Sequence, residues 1–88
     1  MTLIEKIKSL LQYLPNKDIP IANKFIEEHA YDSLLDLVVS AMERADKYKD
    51  SEEYEDIDLG KLNALRYEVS NYINMLYPED IKYYGEEY

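Results

Sequence analysis

The sequence predicts an all-α fold: a small three- or four-helix bundle with an acidic inter-helix loop and a short acidic, tyrosine-rich C-terminal tail. Three observations predict it. Apolar residues recur at three- and four-residue spacing in successive stretches, the period of one helix face. No stretch alternates apolar and polar residues as a half-buried strand would. Between the stretches stand residues that stop or restart helices: Pro15, the polar residues Asn16 to Asp18, His29 to Asp32, and the acids from Asp50 to Asp58.

The first helix is expected over residues 2–14. Thr2 with Glu5 three residues on forms a capping box, and Leu3, Ile4, Ile7, Leu10, Leu11 and Leu14 supply the apolar face up to Pro15. A second helix, over 19–29, begins with Pro20 in its first turn, where a missing N–H costs nothing, and carries Ile21, Ala22, Phe25 and Ile26. Extending that face would reach His29, Asp32 and Ser33, all polar. The apolar residues actually found are Leu34, Leu35, Val38, Val39 and Met42, and Leu35, about 900° of helix after Ile26, falls on the opposite side of a continuous helix. The stripe changes face, which places a break at 29–32 and a third helix over 32–48, capped by Asp32 and with Arg44, Lys47 and Lys49 near its negative end. A continuous wide-faced helix is the fallback. Residues 50–58 read as a loop or mobile linker. Asp58 then caps a fourth helix over 59–77, whose Leu62, Leu65, Val69, Tyr72, Ile73 and Leu76 follow a three-four repeat before Pro78. One bundle domain, 1–77, and a tail, 78–88, follow, with helices three and four packed antiparallel through the acidic loop.

The chain is 88 residues long and has no cysteine, so neither a disulfide nor a thiolate metal site can support its small core. With 47% hydrophobic and 33% charged residues it has enough apolar surface to fold, unlike a disordered tail. The run from Leu34 to Met42 is interrupted by Asp36 and Ser40 and is far short of the ~20 residues that cross a bilayer. Lys6 and Lys8 lie among helically spaced apolar residues rather than before a signal-peptide core, so the protein is expected to work in the cytoplasm of its cell or host.

The formal charge of −9 is unevenly distributed. Residues 1–49 hold eight acids and seven bases, whereas 50–88 hold eleven acids and three bases. Such a field repels nucleic-acid phosphate and anionic lipid and attracts basic partners, which excludes direct nucleic-acid binding through a basic patch. A protein partner with a basic surface is expected.

Chemistry is sparse. His29, the one histidine, has no cysteine or defined acid to act with, and neither an enzyme activity nor a cofactor is expected. An EF-hand starting at Asp50 would need glycine at its sixth position and glutamate at its twelfth; Glu55 and Lys61 stand there, and no metal site is assigned. Nine of the ten tyrosines fall into two groups. Tyr13, Tyr31, Tyr67 and Tyr72 belong to helices, where a half-buried ring with a wet hydroxyl is the ordinary arrangement. Tyr54, Tyr77, Tyr83, Tyr84 and Tyr88 lie in or beside the acidic segments. Tyrosine gives a large contact area at little cost in rotamer entropy, so these five, with Glu55 and Asp56, form the candidate partner-binding set.

Phosphate mimicry needs acids in a row on a rigid element. Helix four carries only Glu68, interrupted by Lys61 and Arg66, and the acids are expected mainly on the loop and tail. In length, charge and helix count the chain resembles short acidic helical proteins of phages and mobile elements, and the small acidic immunity proteins that inhibit bacterial nuclease toxins. In the latter, paired tyrosines lie mid-chain beside a short third helix. Here Tyr83 and Tyr84 are C-terminal, so no residue carries over. A helical adaptor or accessory component of a larger assembly is the leading expectation; an acidic inhibitor that blocks a basic nucleic-acid enzyme is the alternative. The heptad face of helix four also makes self-association an expectation.

Overall fold

The computed structural model of the chain describes residues 2–52 and 54–76. Within them stand four α-helices and no strand: α1 (Leu3–Leu10), α2 (Ile19–Glu27), α3 (Tyr31–Lys47) and α4 (Leu59–Leu76), with single 3-10 turns at Leu11–Tyr13 and Asn16–Asp18 between α1 and α2. The fold is a small all-α bundle.

Each helix end has a local cause. The Thr2 hydroxyl accepts from the Glu5 amide while the Glu5 carboxylate accepts from the Thr2 amide, so the predicted capping box satisfies two donors that the first turn leaves free. α2 ends in a Schellman motif: the Ala30 amide donates to the Phe25 carbonyl at 2.8 Å and the His29 amide to Ile26 at 3.1 Å. His29 takes the left-handed position, φ 58°, usually given to glycine. This is the break expected at 29–32, and the continuous helix is excluded. The expected cap is corrected. α3 starts one residue earlier, at Tyr31, its N-cap is Ala30 with no side-chain bond, and Asp32 falls within the first turn. There its charge faces the positive end of the helix dipole. Asp58 does begin α4, accepting from the Lys61 amide at 3.2 Å.

α4 is the central helix. It packs most extensively on α3 and next on α1, while among the helices α2 packs chiefly on α3. Tyr31 at the start of α3 meets Tyr72 near the end of α4 edge-to-face at 4.8 Å, so these helices run antiparallel. Lys6 pairs with Glu68 at 2.9 Å while Lys61 lies over Tyr13, which makes α1 antiparallel to α4 as well. The core is built from Ile7, Leu14, Leu34, Val38, Leu62, Leu65, Val69 and Ile73, all fully buried. Each side chain of this kind contributes about 1.5–3 kcal/mol on leaving water.

The acidic segment, expected as a loop or a mobile linker, lies between α3 and α4. Between Tyr48 and Ile57 it is a succession of tight turns, closed by amide bonds from Ser51 to Tyr48, Tyr54 to Ser51 and Ile57 to Tyr54. Tyr54 at its centre is only 6% exposed. A large ring inserted into the body holds the turns down.

Candidate functional site

Two acidic surfaces stand out once the charged side chains are placed. The first is the turn segment. Its anchor is built from three distant parts of the chain: Asp18 from the turn before α2, Arg44 from the last turn of α3, and Tyr54. The Arg44 guanidinium donates through Nη2 to Asp18 Oδ2 at 2.9 Å, through Nη1 to the Tyr54 hydroxyl at 3.1 Å and through Nε to the Ser40 carbonyl at 3.3 Å. Burial alone would depress the guanidinium, but the hydrogen bond and charge of Asp18, together with Tyr54, outweigh it and hold Arg44 above its ordinary value. Arg44 is therefore a permanent cation. Lys17 lies 5.9 Å from the Tyr54 ring centre and Tyr48 stacks beside it at 6.3 Å.

This arrangement decides the roles of the predicted residues. Tyr54, expected at a partner surface, is an internal peg whose ring and hydroxyl are already engaged. Glu55 and Asp56 beside it are exposed. Glu52, Asp56 and Asp58 line one wall of a cleft of about 520 Å³, with Gln12, Asn16 and Lys17 opposite. Among the described residues no three His, Asp or Glu side chains converge tightly enough to hold a metal ion. Tyr77, Tyr83, Tyr84 and Tyr88 lie outside the described residues.

The second surface was not expected. Asp32, Asp36, Glu43 and Asp46 are all exposed and all on α3. Their spacings of four, seven and three residues keep them within about 80° around the helix, on the side opposite the core residues Leu34, Val38, Ala41 and Ala45, and spread over roughly 21 Å along it. Lys47 is the one exposed base on α3 itself, because Arg44 turns inward to Asp18. The acids were expected mainly on the loop and tail; α3 also presents four of them in a line. The signal was present in the heptad-like spacing of the polar positions, but net charge hides it, since residues 1–49 are nearly neutral in sum.

Beside the row, between α2 and α3, is a shallow apolar groove of about 370 Å³ floored by Ile21, Phe25 and Leu37. Ile21 is 43% exposed. α4 leaves Tyr67 and Met75 exposed. His29, at the break, has its Nδ1 3.1 Å from the Tyr31 hydroxyl and is otherwise on the surface.

These features define the class: a small all-α protein with an acidic surface, in which no described helix is long and apolar enough to cross a membrane. Comparison with protein-family models, with curated proteins and with solved structures yields no match.

Proposed function

We propose that this chain is a non-enzymatic interaction module, an adaptor or accessory component of a larger assembly in the cytoplasm of its cell or host, whose protein partner presents a basic surface. The observation that carries this reading is the row of exposed carboxylates on α3. Four like charges held on one face of a rigid helix repel one another and contribute nothing to the core, whereas a basic partner would turn that repulsion into attraction. The exposed Glu55 and Asp56 extend the acidic surface beyond the end of α3. Tyr77, Tyr83, Tyr84 and Tyr88 join the reading on sequence grounds, as an acidic, aromatic docking arm.

Affinity capture from host lysate tests it, with the full chain beside a variant carrying D32N, D36N, E43Q and D46N and another in which Tyr83, Tyr84 and Tyr88 are alanine. The expected result is a specific partner, held less firmly as salt rises and lost with the neutralised row. A partner retained equally by all three proteins would refute the proposal.

The same row favours a second reading, an inhibitor that occupies the nucleic-acid site of a basic enzyme, because carboxylates spaced along a stiff element can stand where phosphates stand. Here capture must compete with DNA. Partner binding unaffected by excess duplex DNA excludes it.

A further inference from the structure

The apolar groove and the acidic row share a residue. Asp36 lies on the rim of the depression between α2 and α3 and also in the middle of the row, four residues after Asp32. It is exposed, and no hydrogen bond or ion pair within the described residues holds it. Below it Ile21, Phe25 and Leu37 form an apolar floor, with Ser33 and Ser40 on the α3 side. The α2 side adds one exposed base, Lys24, and two exposed acids, Glu27 and Glu28. A partner seated here meets an apolar seat with one carboxylate, Asp36, and two serines on its rim.

We propose that the groove receives a basic amphipathic helix of the partner, one large apolar side chain resting on Ile21, Phe25 and Leu37, and a lysine or arginine beside it pairing with Asp36 and, one turn away, Asp32. This rests on the reading that the partner is basic, and adds the element it uses and the place where it sits. Charge complementarity selects the basic flank. The geometry selects a helix: two adjacent helices leave a furrow that takes the ridge of a third, whereas an extended peptide gains its affinity from an unpaired strand edge, and the described residues include no strand.

The test uses the full-length protein and a fluorescein-labelled synthetic peptide with leucines at three- and four-residue spacing and lysines flanking them, beside a peptide of the same composition in scrambled order. Amide shifts on titration are expected to cluster at Ile21, Phe25, Ser33 and Leu37. D36K should weaken the peptide roughly tenfold, equivalent to about 1.4 kcal/mol, and I21S should weaken it by several-fold. D50K, with the same change of charge in the turn segment, should have a smaller effect. Circular dichroism checks that each variant is folded.

Equal binding of the scrambled peptide, or shifts centred on Asp50 to Asp58, overturns the groove. So does sedimentation showing a dimer that I21S dissociates, because the occupant is then a second copy. If D36K and D50K weaken binding alike and I21S leaves it unchanged, the groove is wrong while the basic-partner reading stands; if binding is also indifferent to salt, both fall.

Discussion

The two acidic surfaces are opposites in construction. The turn segment reads in sequence as a solvated charge run, six acids and no base among residues 50–58, yet it is fastened to the body by the buried Tyr54 and by Arg44. The α3 row reads as part of a nearly neutral half, yet among the described residues no hydrogen bond or ion pair holds its four carboxylates. Local charge density therefore misleads in both directions. What distinguishes the surfaces is whether an aromatic ring or an ion pair connects them to the core.

Breaking the anchor should have the largest effect. Tyr54→Ala removes a ring that is 6% exposed together with the hydroxyl that receives Arg44. It is expected to cost about 3 kcal/mol and to lower Tm by on the order of 15 °C. Urea and thermal unfolding measure this. A loss under about 1 kcal/mol would mean that the turns stand without their peg. Removing the cation comes next. Arg44→Met leaves Asp18, whose side chain is 6% exposed, as a buried carboxylate without its partner. Because the Arg44 side chain is 27% exposed and water can enter, the expected cost is about 2 kcal/mol, below that of a fully buried pair. Asp18→Asn, which keeps an acceptor for Nη2, should cost about half as much. Tyr54→Phe is milder still, about 1 kcal/mol for one hydrogen bond. The ordering of these variants, in denaturant midpoints, separates packing from polarity in the anchor.

The sequence made the helices legible because they depend on local rules. The Thr2–Glu5 box, Pro20, Asp58 and the jump of the apolar face after Ile26 act within one or two turns of chain. The cap of α3 was misplaced because His29 takes a left-handed conformation that glycine normally supplies, and the Schellman bonds it makes are entirely backbone. Tyr54 was misplaced for a different reason. Its burial depends on Asp18 and Arg44, 36 and ten residues away, and nothing in the neighbouring Asp-Ser-Glu-Glu-Tyr-Glu-Asp run announces a ring turned inward. The acidic row is legible in the polar positions of α3, whose helical periodicity runs opposite to that of its apolar ones.

The smallest expected effect on stability sharpens the comparison most. Combining D36N, E43Q and D46N should change unfolding free energy by less than about 0.5 kcal/mol, and in the stabilising direction. Asp36 stands one turn from Asp32, where like charges oppose each other by a few tenths of a kcal/mol. Asp46 lies in the last turn of α3, close to carbonyls that carry the negative end of the dipole, so its charge is placed against the helix. Asp36 and Asp46 stand where the helix gains nothing from them, which is what the proposed reading of the row as a partner surface requires. A triple variant that unfolds more than about 1 kcal/mol more easily would show that the row serves the fold after all. A variant as stable as the parent that no longer captures a basic partner would separate what holds this protein together from what it presents.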